Sequence, residues 1–128
     1  MSGSNNAYVI HRHDSGGETH WDLMLESADS LRTWRLDTHP QDIRSQPVSA
    51  TSIAAHAKRF LTYEGPVQNA RGNVQIVDSG TYACPDNSST QLKLTLAGRI
   101  LKGTFTLTHI CDDNWQFTRT GKNENPIS

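Results

Sequence analysis

Two histidines and an aspartate stand close together in the segment His13-Asp14-Ser15-Gly16-Gly17-Glu18-Thr19-His20-Trp21-Asp22-Leu23-Met24-Leu25-Glu26. Imidazole nitrogen and carboxylate oxygen together suit a divalent ion such as Mn, Fe or Zn. The His20-x-Asp22 spacing places two such groups side by side if the segment is a β-strand. Successive side chains then alternate, so His20, Asp22, Met24 and Glu26 share one face and Trp21, Leu23 and Leu25 the other. One face is left for chemistry and the other for a core. His13 is expected to fold back from the preceding strand as a third ligand, and Val9 and His11 share its parity. His11 is expected at the surface or behind the ligands. Glu26 lies roughly 13 Å along the strand from Asp22 at ~3.3 Å per residue, too far to join the same ion.

The elements that must hold these residues are short strands. A chain of 128 residues is the size of one domain with a single core. Its strand-like runs are broken by Gly, Asn, Asp, Ser and Pro, the rhythm of a sandwich or barrel. Strands are predicted near Tyr8 to Arg12, His20 to Glu26, Leu31 to Leu36, Asn73 to Val77, Thr81 to Ala83, Leu92 to Leu96, Ile100 to Thr108 and Trp115 to Arg119. Eight are enough to close a small barrel. Ala97-Gly98-Arg99 predicts a hairpin in which Gly98 takes a positive φ. Thr38 to Pro47, with two prolines, reads as a loop. From Val48 to Leu61 a strand or a turn of helix follows, and the period is ambiguous; Ile53, Ala54, Ala57, Phe60 and Leu61 fit a helical face, so one short helix capping the barrel is the favoured reading. The fold expected is mainly β: a small closed β-barrel of about eight strands with one short helix. Its domain would run over residues 7–120, with flexible tails at 1–6 and 121–128. Parity puts Tyr8, Ile10, Trp21, Leu23, Leu25, Trp34, Val74, Ile76, Leu94 and Leu107 in the core. Trp34 and Trp115, with Trp21, read as core anchors rather than base-stacking platforms.

A formal charge of −1 argues against gripping long duplex DNA through many phosphates but leaves room for a contact to one nucleic-acid end. No apolar run approaches the ~20 residues of a membrane span, and the first six residues lack the apolar core of a signal peptide. The expectation is a cytoplasmic protein, a monomer with no membrane partner. Cys84 and Cys111 have no C-x-x-C spacing and suggest neither a zinc knuckle nor a disulfide framework.

Several segments, in order, resemble the 3′-phosphoesterase module at the N-terminus of bacterial DNA ligase D and its small stand-alone relatives. Tyr8-Val9-Ile10-His11-Arg12-His13-Asp14 is similar to the opening strand of that family, and His20-Trp21-Asp22-Leu23-Met24-Leu25-Glu26 to its metal strand. Thr33-Trp34-Arg35-Leu36 is similar to the tryptophan strand that follows. His56, then Tyr63-Glu64-Gly65-Pro66-Val67, resembles the histidine segment and acidic-glycine turn. Arg71-Gly72-Asn73-Val74, Asp78-Ser79-Gly80-Thr81-Tyr82 and Leu101-Lys102-Gly103-Thr104-Phe105-Thr106-Leu107 continue the match. The resemblance implies a Mn-dependent phosphodiesterase and phosphomonoesterase that removes a 3′-ribonucleoside and then a 3′-phosphate from DNA ends in non-homologous end joining. It implies His13, His20 and Asp22 as manganese ligands and His56 as the phosphate-facing catalytic histidine. The implied partners are nucleic-acid 3′ ends on primer-template DNA, beside a separate DNA ligase or polymerase.

The chain departs from that pattern at three points. The family has an arginine where Met24 stands and a tyrosine where Phe60 stands, and the His13 to His20 interval is one residue longer. The lost arginine removes a charge-assisted contact to phosphate, which Arg12, Arg35 or Arg71 would have to supply. If the lost clamp limits the reaction, Met24→Arg should raise activity. The alternative is a metal- or end-binding module of the same fold with weakened catalysis. A cupin reading of His11-x-His13 with Glu18 is poorer, because the bracketing glycines fall on Asn5 and Leu25. A Ser-His-Asp hydrolase lacks the G-x-S-x-G elbow.

Overall fold

The structure is a computed structural model describing residues 6–68 and 71–121. The expected tails therefore lie outside the described residues, apart from Asn6 and Gly121. Nine strands form one antiparallel sheet: β1 (Ala7–Ser15), β2 (Glu18–Glu26), β3 (Leu31–Leu36), β4 (Val48–His56), β5 (Gly65–Pro66), β6 (Asn73–Asn87), β7 (Gln91–Gly98), β8 (Lys102–Cys111) and β9 (Asn114–Gly121). Their order is β1-β2-β3-β4-β9-β8-β7-β6-β5, and a further β1–β6 pairing closes the ring. Eight strands make the closed barrel, and β5 adds a two-residue pairing to the end of β6. Closure removes the exposed edges that a chain so rich in short strands would otherwise present.

The interior follows the expected parity. Tyr8, Ile10, Leu23, Leu25, Trp34, Leu94 and Leu107 join Leu36, Leu92, Leu96, Phe105, Trp115 and Phe117 in one cluster. Trp34 meets Trp115 edge-on at 5.6 Å, and Phe105 stacks on Phe117 at 5.2 Å. Truncating one such ring typically costs about 3–5 kcal/mol. Three of the expected core positions differ: Val74 is buried but lies in neither apolar cluster, since it pairs with His13 on the outer face. Trp21 is only partly buried at the barrel mouth, against His39, and Ile76 faces outward into a second, smaller cluster.

The region from Val48 to Leu61 is the main correction. Among the described residues there is no α-helix: Val48–His56 is a strand, and only Lys58–Leu61 turns, as a single 3-10 segment. A second 3-10 turn, Pro40–Asp42, breaks the expected loop. Alanine content favoured a helix, but β4 bridges β3 and β9, and without it the barrel stays open. The gain from closure outweighs the small propensity difference, as tertiary context commonly does.

Two smaller corrections concern turn signals. The segments Asn73–Val77 and Thr81–Ala83 are one continuous strand, β6, with a register shift opposite Ile10 and His11. The Asp78-Ser79-Gly80 signal marks this bulge rather than a chain reversal. Asp78 is fully buried, and its carboxylate accepts hydrogen bonds from Tyr8 Oη and from the backbone N–H groups of Ser79, Arg99, Ile100 and Leu101. It thereby pins the β7–β8 hairpin, which is present as expected. Gly98 serves there by size: a Cβ would lie 1.7 Å from Tyr8 Oη. It is not among the positive-φ glycines.

Candidate metal centre

The outer face of β1, β2, β3 and β4 carries the site, and its rows follow from the register. Gly16 and Gly17, at φ 60° and 84°, make a two-residue turn between β1 and β2. Such a turn needs positive φ at both positions, which glycine adopts without penalty. It sets Ser15 opposite Glu18 and therefore His13 directly opposite His20, with His11 opposite Asp22. Directly opposed residues share a face with Cβ atoms about 4.5–5.5 Å apart. The extra residue in the His13 to His20 interval is thus absorbed by the hairpin. Beyond this row, Asp22 pairs with Arg35, Met24 with Thr33, and Leu31 with His56.

The three candidate ligands converge. His13 Nδ1 lies 3.1 Å from His20 Nε2 and 3.9 Å from Asp22 Oδ2, and His20 Nε2 is 3.4 Å from Asp22 Oδ1. Among the described residues these three form a group whose ligand atoms all lie within 4.8 Å of one another. Ligands held about 2.0–2.2 Å from one ion are separated by roughly 3–4 Å, which these distances match. Asp22 is buried, and its Oδ1 has no hydrogen-bond partner. A buried carboxylate oxygen without a donor is a costly arrangement that a cation would relieve.

The orientation of His13 is set from outside the strand pair. His13 Nε2 lies 2.6 Å from the carbonyl oxygen of Arg71. A carbonyl only accepts, so Nε2 carries the proton and Nδ1 turns a lone pair toward His20 and Asp22. This is how metal-bound histidines are usually held. Gly72 allows the approach: it sits at φ 94°, and a Cβ there would lie 1.9 Å from the carbonyl oxygen of Asp14. The Arg71-Gly72 dipeptide therefore acts through its backbone. Its guanidinium is not what brings Arg71 to the site.

The other cationic candidates divide. Arg35 points along the same face, with Nε 3.8 Å from Asp22 Oδ1 and its side chain about half exposed. Arg12 instead pairs with Asp14 at 3.2 Å. That pairing and a hydrogen bond from Thr19 hold the Asp14 carboxyl below its ordinary range, the Thr19 bond having the larger effect.

His56 ends β4 beside this face. Thr33 Oγ1 donates to the carbonyl of Leu31, and the Thr33 oxygen and the Ala54 carbonyl lie 3.1 and 3.2 Å from His56 Nδ1. Two acceptors at Nδ1 place the proton there in the neutral ring and leave Nε2 for exchange with a substrate.

Met24 and Phe60, the two positions where the resemblance implies an arginine and a tyrosine, belong to one apolar cluster. Met24 is fully buried with Val9 and Leu31, and Phe60, Leu61 and Ile76 pack against them. The 3-10 segment Lys58–Leu61 is thus held to the barrel by an apolar patch where the family pattern would place an arginine and a tyrosine. His11 lies beneath the same segment, 1% exposed, with Nε2 lacking a partner and its ring edge-on to Phe60 at 6.1 Å. Burial pushes its pKa down, opposed mainly by the Asp22 charge. His11 is accordingly buried, not at the surface. Glu26 is engaged elsewhere, in an ion pair with Lys58 at 3.2 Å.

The model of the DNA ligase D 3′-phosphoesterase domain matches residues 11–109, a span that includes every residue of this face from His11 to His56. The chain belongs to that family. Similar curated proteins are the multifunctional non-homologous end joining proteins LigD of Mycobacterium bovis and Mycobacterium tuberculosis, each 27% identical over 122 residues. The match covers 90% of this chain and 16% of each relative, so the chain spans about one-sixth of their length. The matched span thus contains the His13/His20/Asp22 cluster. Sequence reasoning missed Thr33, the Arg71 carbonyl and Gly72. Only Gly72 left a signal, as a glycine directly before a predicted strand.

Proposed function

We propose that residues 7–120 form a metal-dependent phosphoesterase domain that processes nucleic-acid 3′ ends during end-joining repair, with manganese as the ion. The observation that carries this reading is the His13 imidazole, locked by the Arg71 carbonyl so that Nδ1 faces His20 and Asp22. Family membership supports the same assignment. The mycobacterial relatives are multifunctional non-homologous end joining proteins, which supports DNA ends as the substrate; a separate DNA ligase or polymerase as partner is part of the same proposal.

In this reading His13, His20 and Asp22 hold the ion. A divalent ion held there would supply Lewis acidity to offset the negative charge that builds on the phosphate oxygens. Arg35 stands beside Asp22 with its guanidinium partly in solvent and contacts a second phosphate oxygen. His56, with Nδ1 held by Thr33 and Ala54, moves a proton at Nε2, to the leaving oxygen or from the attacking water. Asp22, within reach of His13, His20 and Arg35, would offset part of the charge of the divalent ion and of Arg35, and the positive charge left over matches a dianionic phosphate.

A weakened end-binding module is the second reading, favoured by the apolar Met24/Phe60 patch, which removes two polar contacts to phosphate. The test is a manganese-dependent cleavage assay on a primer-template ending in a single 3′-ribonucleotide, beside the same duplex ending in 3′-phosphate. Product that disappears in His20→Ala establishes end processing. Metal-dependent binding of either end without product establishes the binding module instead.

A further inference from the structure

Beside the site, the turn from Arg59 to Gln68 carries a notch of about 300 Å³ lined by Arg59, Phe60, Tyr63, Pro66, Val67 and Gln68. The Arg59 guanidinium lies over two rings at once, 4.5 Å from the Phe60 centroid and 5.3 Å from that of Tyr63. Phe60 and Tyr63 meet edge-on at 5.5 Å. Arg59 is exposed, and among the described residues it has no carboxylate partner. Its guanidinium is therefore held over the two rings without a carboxylate to neutralise it. Phe60 also meets His56 edge-on at 5.6 Å, so the notch begins one ring away from the proposed catalytic histidine.

We propose that this notch binds the nucleotide just upstream of the reacting 3′ phosphate, its base against the Arg59 and Tyr63 planes and its phosphodiester on the guanidinium. The inference rests on the end-processing reading and deepens it by giving the strand a direction. Two clefts flank the 63–66 turn. The other, about 580 Å³, is lined by Asp14, Glu64 and uncharged residues. Its carboxylates repel a phosphodiester, whereas the notch offers a cation and aromatic surface, the combination on which single-stranded ends stack without sequence preference. Charge complementarity therefore runs the anionic strand over Arg59. Lysine would keep the charge and lose the plane.

The test uses the full chain with manganese and a fluorescein-labelled primer-template ending in 3′-hydroxyl, which leaves no phosphate to cleave, with affinity read by anisotropy. A second duplex carries an abasic nucleotide at the upstream position. Arg59→Ala and Arg59→Lys should each weaken binding of the intact duplex roughly ten-fold; on the abasic duplex, where only the phosphodiester contact remains, Arg59→Lys should bind like wild type and Arg59→Ala should lose less than on the intact duplex. Unchanged melting of the variants confirms that they fold, as expected for an exposed side chain. Equal affinity of wild type and Arg59→Ala for the intact duplex overturns the proposal. So does an Arg59→Ala loss of the same size on both duplexes, since that shows a phosphate contact without stacking. If the wild type binds neither duplex, and its manganese-dependent cleavage also fails, the end-processing reading falls and takes the notch with it.

Discussion

Replacing Met24 by arginine introduces the residue that the family resemblance implies at this position, and burial in the structure predicts that it unfolds the site instead of improving it. Met24 has no exposed surface and lies among Val9, Leu31, Phe60, Leu61 and Ile76. Taking its side chain out of apolar surroundings forfeits about 1.5–3 kcal/mol. A guanidinium placed there without a partner adds several kcal/mol more, part of it recovered if the long side chain bends its head outward. The net loss expected is about 3–5 kcal/mol, a large share of the ~5–15 kcal/mol that holds a domain together. For a chain of this size that corresponds to a fall in Tm of roughly 10–25 °C. Urea titration followed by tryptophan fluorescence measures it, with Met24→Leu as a volume-conserving control that should cost under about 1.5 kcal/mol. Because Phe60 and Leu61 rest on the same patch, the segment carrying Arg59 should loosen as well, and end binding should weaken. A Met24→Arg protein with wild-type stability and faster turnover would refute this reasoning. It would show that the patch has room for the charged clamp and that the activity gain expected from the family pattern was right.

Three further predictions follow from other parts of the barrel. Gly72→Ala must move the backbone away from Asp14 and so release the Arg71 carbonyl from His13; manganese affinity by calorimetry should fall about 10- to 100-fold, and unchanged affinity would show that His13 needs no such support. Asp78→Ala leaves four buried or partly buried backbone N–H groups without their acceptor and Tyr8 Oη with only the Leu101 carbonyl, and should cost about 3–5 kcal/mol in a denaturant titration; a loss under about 1 kcal/mol would mean that water replaces the carboxylate. Tyr8 gives an alkaline signature: burial, and then the Asp78 hydrogen bond, push its pKa well above the ordinary value near 10. The folded state thus holds a proton that the unfolded state releases, so stability is intact below about pH 10 and falls as pH rises beyond it. Urea midpoints at pH 9 and pH 11 should differ more for wild type than for Tyr8→Phe, and identical differences would place the alkaline sensitivity elsewhere.

The period-two pattern of His20 to Glu26 was enough, from sequence, to assign a chemical face and a core face to β2 and to expect His13 to fold back from the preceding strand. Alternation is a local property, and the core residues Ile10, Leu23, Trp34 and Leu94 follow from it for the same reason. What alternation does not contain is the identity of strand neighbours. The conversion of Val48–His56 into a strand came from barrel closure, which gives β4 two partners, β3 and β9, and overrides its alanines. The reading of Asp78-Ser79-Gly80 as an interruption failed because a buried carboxylate with five donors can stabilise a bulge as readily as a turn. Residues far apart in the chain completed the site: the Arg71 carbonyl on His13, Thr33 on His56, and the 3-10 segment that buries Met24 and His11. Ligand types and their spacing along one strand were determined by the sequence alone. Tautomer, burial and the fate of the missing arginine were decided by the tertiary structure, because each depends on which distant backbone or side chain is packed against the strand.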